Sequence, residues 1–463
     1  MDSQLSPTPF PKRKRRLWIL LISVAALTAV CGLVIFGLFK HQQEQDRLDS
    51  AEIEKRLAAL RAAGEPLTVE ELGRIYPDPD PEHDSSILLS PAVSRLSVRE
   101  DLDHVPWLTA YKLPHGANPL EEPMRLAIQT LVDTNRAALA ALKDVDLTEA
   151  RLSASLLKGL VGSKIPRVGP LIQLSKLSCL DSVLSSESRD IPGAIRSILL
   201  ALQVSRSCRS GVPILQVQSR AGEFIAGEAV ERLLNRSIPS TADLEILDRV
   251  FADEDLNGFQ RELQHSQTLG LYAMESWRSM AKLVRINAKT PIARLLAEYK
   301  ASLLFVDRDM LVFLDWHEHL ASIFKLSSRQ QFESITTNRL VFPKNLRKST
   351  MANLSVASDF SRLIRTEYIG VAFLRATRTA LAVERWRLAH DGRLPDSLAE
   401  LVPSFVPAVP VDPFDDQPLR YRKLPKGYVI YSVGPDFSDD GGREKSDNAK
   451  DTDHYDISFT VER

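Results

Sequence analysis

The sequence predicts a mostly α-helical protein with a single N-terminal transmembrane helix, an irregular helical array and a small C-terminal α+β module. Three observations predict this class. An uncharged apolar run fills residues 17–39, apolar residues recur at helical spacing from about residue 122 to residue 389, and short strand-like runs follow residue 390. An apolar run of about 20 residues is typical of a membrane-spanning helix. Apolar residues three and four positions apart favour amphipathic helices.

Composition limits the class of function. The chain has 463 residues, which allows two or three domains of about 100–200 residues each. Its 59 basic and 60 acidic residues nearly cancel, so bulk charge indicates no nucleic-acid partner. An apolar content of 44% is ordinary for a globular protein and predicts a packed core.

The N-terminal segment predicts location. Residues 1–16 form a stub that ends in the basic block KRKRR, and the apolar run 17–39 follows directly. Only a helix satisfies its own backbone hydrogen bonds in hydrocarbon. Basic residues stay on the cytoplasmic side of a membrane. The pattern therefore predicts a single-pass protein of the bacterial inner membrane, with a cytoplasmic N-terminus and a periplasmic bulk.

A cleaved secretory signal is the alternative interpretation of the same segment. Such signals have an apolar core of about 7–15 residues and a small-x-small cleavage site. The run 17–39 is longer, and the sequence KHQQE follows it without an Ala-x-Ala site. An uncleaved signal-anchor is therefore favoured, with the membrane as a partner through residues 17–39.

The sequence of residues 40–121 predicts a connector that has both helical and extended parts. Apolar spacing indicates a helix over 42–63, which Gly64 ends. The sequence from Thr68 to Glu71 is a capping box that opens a short helix through Ile75. Three prolines in the run 76–81 then exclude further helix, because each lacks a donor and restricts its predecessor.

Residues 122–354 predict a helical domain. Pro123 suits the first turn of a helix. Further helices are predicted by apolar spacing or caps over 170–185, 191–208, 214–234, from Ser240 to 251, 259–283 and 291–324. Antiparallel helical hairpins would bury the apolar faces of these helices. No fixed repeat period is present, so an irregular array is expected.

Residues 355–463 predict a long helix followed by a small sheet. The helix is expected over 355–389, and the chain then becomes rich in Pro, Gly and Asp. Runs at 420–422, 428–433 and 456–461 have strand character. A helix followed by such strands is typical of an α+β module.

The C-terminal module carries a series of motifs in a definite order. In chain order they are RLAHDGRLPDSL (387–398), LVP (401–403), DPF (412–414), LRY (419–421) and YSVGPD (431–436). This order of helix, proline-marked loop, Asp-Pro-aromatic turn, strand and Ser-x-Gly-x-Asp ending resembles the globular domain of the major pseudopilins of type II secretion. The resemblance implies a structural calcium site in the last loop, with Asp436 and either Asp453 or Asp456 as ligands.

The N-terminus departs from that family. Pseudopilins have a cleavage-site Gly and a Glu inside the apolar helix, and the run 17–39 contains no Glu. Assembly into a pseudopilus is therefore not expected. The chain as a whole resembles large membrane-anchored bacterial envelope proteins that carry a pseudopilin-like module at the C-terminus.

The acidic tail is the best candidate for metal chemistry. Asp436, Ser438 and Asp440 hold the first, third and fifth positions of a run with Gly441 sixth and Asp447 twelfth. This spacing is similar to that of calcium loops, in which oxygen ligands surround a hard cation. The predicted ligands are Asp436, Ser438, Asp440, Asp447, Asp453 and Asp456. A solvated acidic loop without metal is the alternative.

The sequence leaves open whether Cys179 and Cys208 form a disulfide. An oxidising compartment would allow a disulfide between them. Two buried free thiols fit the sequence equally well, because sequence separation says nothing about disulfide geometry.

No assembled catalytic motif is present. The sequence lacks a Gly-x-Ser-x-Gly elbow, a phosphate-binding Gly-x-x-x-x-Gly-Lys loop and a Cys-x-x-Cys pair. The expected function is therefore that of a membrane-anchored extracytoplasmic scaffold or binding protein of the bacterial envelope, without catalytic activity. An accessory of a type II secretion-like system, with envelope or secretion proteins as partners, is one alternative. A periplasmic metal-dependent hydrolase is the other.

Overall fold

The described residues cover most of the chain. The computed structural model describes residues 12–97, 103–109, 111–152, 169–209, 213–252, 256, 258–263, 268, 270–271, 306–336, 360–444 and 455–463. Within these ranges the structure is mostly helical and contains a three-stranded sheet near the C-terminus.

The elements follow one another in chain order as helices and then strands. The helices are α1 Lys12–Ala62, α2 Val69–Ile75, α3 Ser85–Leu88, α4 Ser90–Val93, α5 Glu122–Thr134, α6 Arg136–Ala140, α7 Gly169–Glu187, α8 Ile191–Arg206, α9 Pro213–Arg236, α10 Thr241–Val250, α11 Val306–Ile323, α12 Ser328–Thr336 and α13 Phe360–Ala389. The strands are β1 Arg420–Leu424, β2 Gly427–Ser432 and β3 Ile457–Glu462.

The N-terminal apolar run does not form an element of its own. It lies within α1, a continuous helix of 51 residues that starts in the basic block and continues through the charged sequence up to Ala62. Its described side chains, such as Val24, Leu27 and Leu33, are exposed. None of the helices in the described ranges combines the length and the apolarity that crossing a membrane requires.

The predicted transmembrane helix at 17–39 is therefore wrong. The apolar run makes up less than half of α1, and charged residues of the same helix lie on both sides of it. The signal-anchor and the single-pass location in the bacterial inner membrane depended on that helix and are overturned with it.

The described chain divides into two compact units. The boundaries fall after residues 63, 273 and 314, so that α1 belongs to one unit. In that unit the hydroxyl of Ser50 donates a hydrogen bond to the carboxylate of Asp307, and Ile53 is buried. The helices α2–α10, α12 and α13 and the whole sheet belong to the other unit.

The helices of the second unit begin and end close to the predicted positions. Thr68 forms the predicted capping box, because its hydroxyl accepts from the N–H of Glu71 and the Glu71 side chain accepts from the N–H of Thr68. The predicted helices at 170–185, 191–208 and 214–234 correspond to α7, α8 and α9. Pro123 lies in the first turn of α5, as predicted, and Asn135 separates α5 from α6.

The helices α7, α8 and α9 form the centre of this unit. A turn at 188–190 joins α7 to α8, which pack side by side as a hairpin. Helix α9 lies across both at Gly222, where a Cβ atom would collide with the Ser205 hydroxyl. The hydroxyls of Ser175 and Ser205 share a hydrogen bond of 2.7 Å there. Small residues at this crossing therefore bring the three helices close together.

The sheet is antiparallel throughout, with the order β1-β2-β3. All three predicted strands are confirmed to within two residues. The hairpin between β1 and β2 needs Gly427, whose φ is +144° and whose missing Cβ leaves room for the main-chain carbonyl of Val461.

One hydrophobic core contains residues from the helices and from the sheet. Leu233 of α9, Ala376 of α13, Ile430 of β2 and Phe459 of β3 are all buried in it. The ring of Phe459 lies 6.0 Å from that of Phe373 on α13. The sheet is therefore packed against α9 and α13 and completes the helical core of this unit.

Both cysteines of the helical region are free thiols and buried. Cys179 and Cys208 lie in different hydrophobic clusters. The disulfide alternative is therefore wrong, and the alternative of two buried free thiols is confirmed. Burial raises the pKa of both thiols, that of Cys208 to about 12.

Candidate functional site

The connection between β2 and β3 contains the predicted metal ligands. Asp436, Ser438, Asp440 and Asp456 lie in its described parts, whereas Asp447 and Asp453 lie outside the described residues. The connection leaves β2 through a short 3₁₀ turn, Gly434–Asp436, and then reverses direction with φ angles of +59° at Phe437 and +71° at Gly441.

The first carboxylates of the loop bind their own backbone. Asp436 is exposed, and its Oδ1 accepts a hydrogen bond of 3.1 Å from the N–H of Ser438. Asp439 accepts in the same way from the N–H of Gly441, at 3.0 Å. These local bonds are typical of Asx turns and shape the chain reversal.

Asp456 connects the loop to the start of β3. Its Oδ2 accepts a hydrogen bond of 2.6 Å from the N–H of Gly442, and its Oδ1 accepts one of 3.4 Å from the N–H of Asp440. The side chain is buried. Burial raises the pKa of Asp456 to about 6 against the lowering effect of these two N–H groups, and the carboxylates of Asp439 and Asp440 raise it further.

Asp440 carries the observation that points to a cation. Its Oδ2 is buried and accepts no hydrogen bond within the part of the chain that the structure describes. Its negative charge acts on the neighbouring Asp456. A buried carboxylate oxygen without a donor requires an explanation, and a hard cation such as Ca²⁺ is bound by oxygens of this kind.

The described ligand set is small. The structure brings Asp440 and Asp456 together and adds Asp439, which the spacing argument did not select. Among the described residues, no group of three or more His, Cys, Asp or Glu side chains is placed to hold a metal ion. Asp440 and Asp456 therefore fit a calcium site only with further oxygens from the loop, which include the predicted ligands outside the described ranges.

The buried carboxylate of Asp412 connects two further motifs of the C-terminal module. Asp412 Oδ1 accepts hydrogen bonds from the N–H of Phe414 at 3.0 Å and from the hydroxyl of Ser432 at 2.8 Å. Its Oδ2 accepts from the N–H of Val433 at 2.9 Å and from Arg420 at 2.8 Å. The Asp-Pro-Phe turn and the Ser-x-Gly-x-Asp ending are therefore joined by one side chain.

Two side chains of α9 close the free edge of the sheet. Glu231 Oε1 accepts a hydrogen bond of 2.8 Å from the N–H of Thr460. The amide of Asn235 donates to the carbonyl of Thr460 and accepts from the N–H of Glu462, both at 2.8 Å. These three bonds take the place of a fourth strand beside β3. Sequence reasoning missed them, since Asn235 and Thr460 are 225 residues apart and no local pattern relates them.

A cluster of carboxylates lies beside this edge. Glu228 Oε2 accepts a hydrogen bond of 2.7 Å from the indole N–H of Trp107. Glu444 accepts from the hydroxyl of Thr460 at 3.0 Å and lies 3.1 Å from Nε2 of His115. Burial raises the pKa of Glu228 to about 7 and raises that of Glu231 well above its usual range. The hydrogen bond to Glu444 raises the pKa of His115.

A second buried cluster joins α9 to α13. Arg220 donates to Glu367 at 3.0 Å and to Glu223 at 2.7 Å, and its side chain lies against Gly370. Arg206 and Arg209 also bind Glu223, each at 2.7 Å. Buried ion pairs of this kind are strongly destabilising when one partner is removed. The cluster is therefore a structural connection between the two long helices.

Comparison with known proteins gives no family for the chain. No family model matches it, and no curated protein and no solved structure is detectably similar to it. The resemblance of the C-terminal module to the major pseudopilins therefore stays a prediction, which depends on the order of its motifs.

Proposed function

We propose that the chain is a binding or scaffold protein without catalytic activity, in which a calcium-stabilised, pseudopilin-like module completes a helical domain. The observation that carries this proposal is the common core of Leu233, Ala376, Ile430 and Phe459, which unites helices and sheet in one unit. A sheet held in this way is a rigid part of a larger surface, which suits the binding of another macromolecule.

Calcium has a structural role in this proposal. Asp440 and Asp456 would supply oxygens to the ion, and the remaining ligands would come from the rest of the loop. The ion would compensate the charges of these neighbouring carboxylates. It would also fix the loop against the start of β3, because Asp456 lies directly before Ile457.

Titration calorimetry of the full chain with Ca²⁺ tests this role. We expect binding by the wild-type chain and its loss in Asp440→Asn, which removes the charge and one oxygen ligand. Asp396→Asn is the matched control, because Asp396 is an exposed aspartate of the same module that pairs with Lys423. Equal binding by Asp440→Asn and the control, or no binding by the wild-type chain, would contradict the calcium site.

An activity screen tests the absence of catalysis. The purified full chain would be assayed with ester, peptide and glycoside substrates, with and without a chelator. Turnover that copurifies with the chain would contradict the scaffold proposal. Turnover that the chelator abolishes, with helical content unchanged in circular dichroism, would support the metal-dependent hydrolase instead.

The module also favours a second candidate function, as an accessory of a type II secretion-like system. The supporting observation is the order of elements after α13, in which the turn at Asp412 precedes a three-stranded antiparallel sheet. Neighbouring genes for a secretion ATPase and its platform protein would support this candidate. A genomic neighbourhood without secretion genes in several related genomes would count against it.

A further inference from the structure

Helix α1 exposes an apolar face. Leu27, Val30 and Val34 follow one another at spacings of three and four residues and are 64%, 56% and 56% exposed. Positions at this spacing lie on one side of an α-helix. Leu33, on the same side, is 71% exposed. A folded protein rarely leaves a contiguous apolar patch of this kind in contact with water, so the face is expected to pack against another molecule.

Two small residues extend this face and allow a second helix to approach closely. Ser23 precedes Leu27 by one turn and Gly37 follows Val34 by one turn, so both continue the same spacing. Both are exposed, and a Cβ atom added at Gly37 would lie in open space. From Ser23 to Gly37 the face extends over about four turns, or roughly 20 Å, without a charged residue.

Opposite charges lie beyond the two ends of the face. The basic block KRKRR occupies residues 12–16, and the sequence EQDRLD at 44–49 carries three carboxylates and one arginine. Both sequences belong to the continuous helix α1. Arg16 and Glu44 are equally far from Val30 along the helix, about four turns before and after it, so these three positions lie on one side of α1. Glu44 is exposed.

An inverted copy of α1 is complementary to both the apolar face and the charges. When two such helices pack antiparallel about a two-fold axis near Val30, the contact is isologous and each surface meets its own copy. Arg16 of one copy then lies opposite Glu44 of the second copy, and the same pair recurs at the other end of the contact. A parallel pair would instead place the two basic blocks side by side, where like charges repel one another.

We propose that the chain forms an antiparallel homodimer through α1, with a two-fold axis near Val30. The contact buries Leu27, Val30, Leu33 and Val34 of both copies, and the charges at its two ends set the direction of the helices. The dimer does not depend on the candidate calcium loop, which lies in the other compact unit. Its failure and the failure of the calcium site are therefore measured separately.

Analytical ultracentrifugation of the full chain at micromolar concentrations and low salt tests the dimer. We expect the mass of two chains. Glu44→Arg replaces an attraction by a repulsion at both ends, because the two-fold axis repeats the change. Its dimer dissociation constant should rise by about two- to thirtyfold, as expected for the loss of two exposed ion pairs. Arg16→Glu/Glu44→Arg exchanges the two charges and should restore the wild-type constant.

Val30→Glu tests the apolar face. It places a carboxylate on each side of the two-fold axis and should leave the chain monomeric at the same concentrations. Val24→Glu is the matched control, since Val24 is 53% exposed on the same helix but lies about a third of a turn around it from Val30. This control should remain dimeric. Circular dichroism checks that each variant keeps its helical content.

The wild-type chain alone already decides whether the dimer exists. A monomer at all concentrations, or particles of undefined larger mass, would overturn the proposal. A wild-type dimer that Val30→Glu and Val24→Glu weaken equally would overturn the assignment of the face. A dimer that Glu44→Arg leaves unchanged, or that Arg16→Glu/Glu44→Arg does not restore, would overturn the antiparallel arrangement.

Discussion

The side-chain amide of Asn235 on α9 donates a hydrogen bond of 2.8 Å to the main-chain carbonyl of Thr460 on β3, and so connects α9 to the edge of the sheet. The same amide also accepts from the N–H of Glu462. An edge strand normally presents such groups to solvent or to another chain. One asparagine therefore both holds β3 in place and covers part of its edge.

Asn235→Leu should destabilise the second unit. The substitution leaves the buried carbonyl of Thr460 without its donor, and an unsatisfied buried group costs about 1–3 kcal/mol. It also removes the acceptor of the part-buried N–H of Glu462, so we expect the urea midpoint to fall by an amount equivalent to at least about 1–3 kcal/mol. Gln129→Leu is a suitable control, since the amide of Gln129 is bound only to the exposed Asp133. A urea midpoint equal to that of the control would show that the hydrogen bonds of Asn235 contribute nothing to the stability of the second unit.

Asp412→Asn should destabilise the second unit more than a substitution at the surface of the C-terminal module. The new amide group would face the N–H of Val433 and the guanidinium of Arg420, both of which are donors. Loss of a buried charge partner costs about 3–5 kcal/mol. Near-ultraviolet circular dichroism against urea would measure the effect. Asp396→Asn, at an exposed aspartate, should leave the midpoint unchanged; similar curves for the two variants would contradict the role of Asp412.

Arg220→Met should separate α9 from α13. The guanidinium binds Glu223 and Glu367, both fully buried, and its loss should cost about 3–5 kcal/mol. Without it, the pKa of Glu367, which burial already raises above that of the unfolded chain, would rise further. The pKa of Glu223, which Arg220 and its neighbouring arginines hold below the usual value, would also rise. Protons taken up in acid would then stabilise the variant relative to its fully ionised state, and this stability would be lost as the pH rises.

The loss in free energy of unfolding that Arg220→Met causes, relative to the wild-type chain, should therefore be smaller at pH 5 than at pH 8. Urea unfolding of both proteins at the two pH values measures this loss. Arg125→Met, at an exposed arginine paired with Glu122, is the control and should unfold with the wild-type midpoint. A deficit for Arg220→Met that is equal at both pH values would mean that the glutamates do not take up protons in its absence.

Cys179 and Cys208 should react with iodoacetamide only after unfolding. Both thiols are free and buried, and burial raises their pKa values, which disfavours the reactive thiolate. Peptide mass spectrometry after labelling without a reductant measures this. We expect little label on either cysteine in buffer and full label in guanidinium. A pair that stays unlabelled in guanidinium without a reductant would indicate the disulfide that the structure lacks.

Local sequence patterns predicted the helices and strands of this protein, but they did not predict the contacts between those elements. The helices α7–α9 and the three strands were predicted because apolar spacing and turn residues determine them locally. Thr68 was predicted as a cap for the same reason. The contacts of Glu231 and Asn235 with β3 were not predicted, because they join residues more than 220 positions apart.

The predicted transmembrane helix at 17–39 was wrong for a related reason. The run 17–39 was interpreted as an element of its own, whereas the length of α1 depends on residues on both sides of the run. At the candidate calcium loop, spacing selected Asp440 and the resemblance to the pseudopilins named Asp456, and the structure brings these two together with Asp439, which neither argument selected. Which carboxylates meet in a loop depends on its chain reversal at Phe437 and Gly441, and spacing alone does not determine that reversal.

The central claim is that helices and sheet form one unit closed by calcium at the loop of Asp440. Scanning calorimetry of the full chain, with Ca²⁺ and with a chelator, tests it most directly. A ligand that binds only the folded state stabilises it as its concentration rises. We predict that α9, α13 and the sheet unfold in one transition, and that Ca²⁺ raises its midpoint in the wild-type chain but not in Asp440→Asn. A separate transition for the sheet, or a midpoint that Ca²⁺ leaves unchanged, would contradict the claim.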